Sequence, residues 1–442
     1  MLILTLLFTA SCKRAEVEPT PVSPTKTPKP TFTPRPVAQA LPTHTAKPTA
    51  TAVPPTATPT ATAVPPTATA TLTIEPTEVP TEEPTVAPTA KPTVKVAAVA
   101  AAKPAASSAG AVAAQPKGSP LAYQPEFVGP SPASGPADYG DHVNPLSGVH
   151  VDDPATINRR PILVRYGNDH AARPHSGVSQ AEIVMEDLMD AWWITRLTAV
   201  YLENAPTKVG PIRSARPVNI EILPAFDGVL VFSGASIGVS QLLAQESLDL
   251  IHEGQEGDLF YRGADRAAPH NLYTSIEAVH ERLSLRGKER GYDLRGFTFA
   301  EATPSGGTAA TQVHIPLPKT STVDWSWDVA AGVYRRWVQG VAYTDHLTGE
   351  QVGCENVIII YAKHWESDIV EDSRGATSIG IALRGGERVQ IFRDGQVLDG
   401  FWWRSEKGML FQFIDGNGND IPLKPGHSWI QFVPTTYKLG IQ

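Results

Sequence analysis

The chain has 442 residues, with 37 Lys+Arg against 45 Asp+Glu and a formal net charge of −8. Of its 41 prolines, 27 fall between Pro19 and Pro145, whereas all nine tryptophans lie at Trp192 or beyond, so the first third cannot build a core. Residues 13–140 carry 10 Lys+Arg and 8 Asp+Glu, leaving 27 and 37 for the rest, a balance that argues against nucleic acid as the main partner.

The N-terminal stretch MLILTLLFTASC has an apolar run too short to span a bilayer, then small residues and Cys12. It resembles a bacterial lipoprotein signal, although Thr9 stands where leucine is usual and a positive n-region is missing. The expectation is a signal over residues 1–12 and a lipid anchor on Cys12, holding the protein extracytoplasmically on a membrane. The alternative is a plain signal peptide or a misassigned start. Residues 13–140 are rich in Thr, Pro and Ala, with TATAVPPTAT occurring twice. Dense proline and low hydrophobicity predict an extended, disordered tether spanning roughly 60 Å root-mean-square, suited to O-glycosylation. With Cys354 as the only other cysteine, no disulfide framework exists, and Cys354 reads as a buried filler.

Patterning begins after NPLSG (144–148). Strands are predicted at 161–167, 181–188, 194–204 and 228–234, and helices at 217–226, 236–251 and 274–290. The first helix is expected to break near Pro224. Thr274 and Glu277 form an expected capping box for the last, with Gly291 as its stop. A mixed α/β domain is therefore predicted over 141–305, and PSGGT (304–308) reads as a link. From 306 to 442 nine strand-like runs and the turns DG, KG and DGNG predict a mainly antiparallel β domain. The fold class is α+β. Seven tryptophans lie in the second segment and read as core.

VGPIRSARP (209–217) sets Arg213, Ser214 and Arg216 just ahead of Pro217, a residue suited to the first helical position. Free N–H groups, the helix dipole and two guanidiniums favour an anion there. The alternative is ion pairing with Glu186, Asp187, Glu221 or Asp227. RAAPHNLYTS gathers Arg266, His270, Asn271 and Tyr273, with His270 a candidate acid/base in a polar turn. Before the second strand, HAARPHSG brings Arg173. Arg196 opens the third strand and predicts a pairing with Glu186 if the two strands are neighbours. GASIG (234–238) has the spacing of a nucleophile elbow, but Ser236 is explained as a helix N-cap. DGNGND (415–420) departs from a calcium loop at its sixth and twelfth positions and reads as a turn. The histidine spacings support no metal site, and no cofactor is indicated.

NPLSG, ARPHSGVSQAEIVME, ITRLTAVY, VGPIRSARP, RAAPHNLYTS, HLTGEQV, DGQVLDGFW and IPLKPGHSWI, in that order, resemble the YerB-like family of bacterial lipoproteins. The resemblance covers roughly 141–437 and implies an extracytoplasmic lipoprotein with a two-part domain of unknown function. The family tends to carry an Asp-Asn-His run where this chain has Gly167-Asn168-Asp169-His170, so the leading carboxylate is absent here. The expectation is that Arg173, Arg213, Arg216 and His270 line one polar pocket for an acidic cell-wall component or envelope protein. The competing readings are a hydrolase or transferase of envelope polymers using His270 with Glu186 or Ser236, and a scaffold for cell-wall enzymes.

Overall fold

The computed structural model describes residues 129, 130, 132 and 139–442, apart from 293 and 319, all within one compact unit. Cys12 and nearly all of the 13–140 segment lie outside the described residues. Strands dominate and helices are few.

The predicted strands form close to their expected positions: β1 (Ile162–Gly167), β2 (Ile183–Leu188), β3 (Thr195–Tyr201) and β4 (Val229–Phe232). β1 is buried on both faces, as its near-continuous apolar run requires. Helix α1 (Pro217–Phe226) starts at Pro217 and runs through Pro224 to a left-handed Asp227, so the expected break does not occur. The second predicted helix is shorter. α2 (Ile237–Gln245) ends early, and the residues read as its last turn form β5 (Asp249–His252) instead. In α3 (Ile276–Leu285) the cap is Ser275, whose hydroxyl accepts from the Ala278 N–H at 3.2 Å, not Thr274. Thr274 donates instead to the Leu259 carbonyl at 2.7 Å, and the left-handed glycine beyond the helix is Gly287 rather than Gly291.

The two sequence segments share one sheet. Its order runs Gln412–Ile414, Gln396–Arg404, Gly385–Arg393, Asn356–Ala362, Ser428–Pro434, then β2, β3, β1, β4, β5. The junction between segments is parallel, Ser428–Pro434 beside β2, and Asn356–Ala362 also pairs with Ser428–Pro434 in parallel, so the second segment is not wholly antiparallel. A second sheet contains Gln312–Ile315, Val323–Asp328 and Val333–Val338. It packs with α3 on one face of the large sheet, where Val164 and Tyr166 meet Trp325, Tyr334 and Val279. On the other face, α1 and α2 cover Leu163 and Leu230 with Ile220, Leu223 and Val239. The tight turn at Asp394-Gly395 has both residues at positive φ, as its sequence predicts. Cys354 is buried, and burial pushes its thiol pKa up.

β1 and β2 both run antiparallel to β3, and β4 and β5 run parallel to β1. The carboxyl ends of β1, β2, β4 and β5 therefore share one edge of the sheet; the loops after β1 and β5 carry Arg173 and His270, and the segment after β3 returns to that edge with Arg213 and Arg216.

Candidate functional site

β1 and β4 pair only from Ile162 to Val164 and then diverge. Residues 211–215 wedge into the gap. Gly167 N–H donates to the Pro211 carbonyl (3.0 Å) and Arg213 N–H to the Arg165 carbonyl (2.8 Å). On the other flank, Ser233 N–H donates to the Arg213 carbonyl (3.1 Å) and Ala215 N–H to the Gly234 carbonyl (2.9 Å). Crevices outside the carboxyl ends of parallel strands are where open α/β sheets bind ligands. Here RSAR occupies that position.

The arginines of that edge differ in their partners. Arg216 is a structural cation: Nε and Nη2 donate to the two oxygens of Asp190 at 2.9 and 2.7 Å, and Glu371 lies 3.3 Å away. None of the four acids proposed from sequence is its direct partner. Arg165 takes Asp187 (Nη2 to Oδ2, 2.7 Å). Arg196 does not pair with Glu186. The strands are neighbours, but Arg196 sits opposite Asp187, which turns its side chain to the face away from Glu186. Its Nη1 donates to the Ser214 carbonyl at 2.7 Å, and no acid lies within 4 Å of it among the described residues. The residue is only 5% exposed, and burial, reinforced by Arg216, Arg165 and Arg213, lowers its pKa.

Arg213 likewise has no acid within 4 Å among the described residues, and its buried Nε lacks a hydrogen-bond partner. Burial lowers its pKa, with the more distant Asp169 acting against the shift. Its stem lies over Gly167, where a Cβ would stand 2.4 Å from Arg213 Cγ. The absence of a side chain at Gly167 thus makes room for the arginine.

Asp169 is the common neighbour of the other expected residues. His270 Nδ1 is 3.8 Å from Asp169 Oδ2, and the Asp169 charge also acts on Arg173 and Arg213. Of the expected residues only His270 comes within 4 Å of Asp169, whose charge reaches Arg173 and Arg213 from farther off, while Arg216 faces Asp190 and Glu371. Burial and the cations Arg213, Arg266 and Arg196 outweigh Asp169 and depress the His270 pKa, so its ring is neutral at pH 7. The remaining residues shape the loop. Arg266 donates to the Ala172 and Pro174 carbonyls (2.6 and 2.7 Å). Asn271 links Arg262 and the Gly263 carbonyl, and Tyr273 is buried beneath Lys208 Nζ, 4.1 Å above its ring.

The alternative catalytic set does not come together. Ser236 caps α2 by accepting from Val239 N–H at 3.3 Å, with ordinary extended backbone. Glu186 is buried beside Arg336 (2.8 Å) and accepts from Thr195 Oγ1 and Gln431 Nε2. No hydrogen bond joins His270 to either among the described residues. Asp169, Gly167 and the unpaired state of Arg196 were not singled out as site features in the sequence. A mid-strand arginine beside alternating apolar residues was the available signal for the last.

An anion entering this edge has a definite pH signature. Protonating His270 adds a cation beside Arg213, so an anion binds better below the depressed His270 pKa than at pH 7. Sulfate keeps its charge across this range. Its affinity is expected to rise in the wild type as the pH falls through that depressed value. His270→Ala should leave a flat profile by calorimetry.

The N-terminal domain described as "Protein of unknown function (DUF3048)" matches residues 146–290, and its C-terminal domain matches residues 313–430. "Putative lipoprotein YerB" of Bacillus subtilis (strain 168) is 32% identical over 298 residues, covering 66% of this chain and 86% of that protein. The crystal structure of the YerB protein from Bacillus subtilis superposes with a TM-score of 0.59 at 28% identity, over 67% of this chain and 99% of that one. On these matches, which span both segments and the whole carboxyl edge, the chain belongs to the DUF3048 family of YerB-like proteins of unknown function.

Proposed function

We propose that this protein is an extracytoplasmic lipoprotein that holds an acidic component of the cell envelope at the carboxyl edge of its large sheet. The observation that carries this reading is the pair Arg196, buried, and Arg213, half-buried with a buried unpartnered Nε, neither with an acid within 4 Å among the described residues. Charge buried without a counter-ion is expensive, and a bound carboxylate or phosphate would supply one. Ser214 and His270 stand beside them, and Asp169 sets how far negative charge can approach.

The test is calorimetric titration of the folded protein with sulfate, inorganic phosphate and solubilised wall fragments. Arg213→Ala should weaken binding about tenfold or more, the worth of a charged hydrogen bond. Equal affinity in the variant and the wild type overturns the reading.

For the membrane anchor, the name of the Bacillus relative and the sequence around Cys12 point the same way. Cys12→Ala should move the protein from the membrane fraction to the soluble fraction. Among the described residues no helix is long and apolar enough to cross a membrane. A variant that stays in the membrane fraction removes the lipid from the proposal.

A further inference from the structure

Between β2 and β3 the chain turns through Asp190–Trp193, and two successive non-glycine residues, Ala191 and Trp192, have φ of 50° and 64°. Left-handed backbone costs such residues ~1–2 kcal/mol each, so the turn needs support, and strain of this kind gathers at ligand sites. Arg216 supplies it by gripping Asp190 from the RSAR segment, and Met189 N–H donates to the Ile194 carbonyl at 2.8 Å. The result places Trp192 partly against the core and leaves Trp193 72% exposed. An indole held out to solvent on a strained turn contributes nothing to packing.

Trp193 is joined to one of the arginines, Arg173, through Thr320. The Thr320 hydroxyl donates to the Trp193 carbonyl, and the Thr320 carbonyl accepts from Arg173 Nη2 at 3.0 Å. Beyond Arg173 runs a groove of about 230 Å³ lined by Pro174, Gln339, Val341 and Tyr343. The Nε of Arg173 is buried without a hydrogen-bond partner, and no acid lies within 4 Å of the residue among the described ones. The groove is smaller than the ~300 Å³ at which drug-sized sites begin, so it takes a single ring. Its mixture of apolar walls with Arg and Gln suits a ring with C–H faces and hydroxyls.

We propose that the anion held at Arg213 is the carboxylate or phosphate of a sugar, and that Trp193 and the Arg173 groove bind the sugar rings. The ligand class is an acidic glycan, and this inference rests on the anion reading above. Trp193 offers a flat apolar face with one N–H to the pyranose, and the arginines take the acid.

The folded protein is titrated with glucuronic acid, glucose 6-phosphate, glucose and inorganic phosphate, as wild type, Trp193→Ala, Trp193→Phe and Arg213→Ala. The wild type is expected to bind one of the sugar acids about tenfold more tightly than inorganic phosphate, the upper range of an aromatic contact. Trp193→Ala should abolish that gain with phosphate affinity unchanged, and Trp193→Phe should restore most of it. Sugar acids that bind no tighter than phosphate overturn the glycan proposal, as does binding lost in Arg213→Ala but intact in Trp193→Ala; both leave the anion reading standing. A wild type that binds none of the acids overturns the two together.

Discussion

Replacing Arg216 with alanine is expected to lower the unfolding free energy by about 3–5 kcal/mol, the range for removing one partner of a buried ion pair. Two acids lose their counter-ion at once: Asp190, doubly hydrogen-bonded to the guanidinium, and Glu371, whose side chain is 1% exposed. Burial raises the Glu371 pKa even with Arg216 present. Burial also acts upward on Asp190, but Arg216 outweighs it and holds that carboxyl below its usual range. Without the arginine both folded-state values rise above those of the wild type, so acidification narrows the difference between the two proteins. The deficit should therefore be full at pH 7.5 and shrink toward pH 5, as urea unfolding at the two values would record. A loss below ~1 kcal/mol at pH 7.5 would mean that water replaces the guanidinium. Arg213→Ala in the same motif should cost far less, because no acid within 4 Å depends on it among the described residues.

That contrast marks what could be read from residues alone. Gly-Pro before RSAR and Pro217 after it place a helix start, and α1 begins there. Which arginine is paired was not legible, since Glu371 approaches from a distant hairpin and Asp190 from a strained turn. The Arg196–Glu186 expectation failed through register: a pairing offset of one residue sends the two side chains to opposite faces. β5 was lost because no glycine or proline separates QESLDLI from the helix before it. Thr274 and Ser275 are both competent caps, and only the backbone path through Leu259 decides between them. The tryptophans read as core largely are, with Trp325, Trp402 and Trp429 at most 1% exposed. The exposure of Trp193, in the first segment, was not legible, because composition carries no information about a left-handed turn.

Glu186 and Arg336 supply the second large effect. One side chain comes from β2 and the other from the strand Val333–Val338, and both are 0% exposed at 2.8 Å. Arg336 lies 4.2 Å over the Trp429 ring, with Trp325 and Tyr343 each at 5.2 Å, so the cation sits in an aromatic cage. Glu186→Ala strands that cation, and Arg336→Met strands the carboxylate; each should cost about 3–5 kcal/mol. The double variant removes both charges. It should therefore fall short of the summed losses by about 2–3 kcal/mol in a double-mutant cycle, whereas additivity within ~0.5 kcal/mol would deny the coupling. Because this pair and the parallel junction at Ser428–Pro434 tie 141–305 to 306–442, denaturant should unfold both in one transition. Tryptophan fluorescence reports chiefly on the second segment, and hydrogen exchange of the β1 and β3 amides reports on the first. Coincident midpoints are expected, and separated ones would mean that each segment folds as an independent domain.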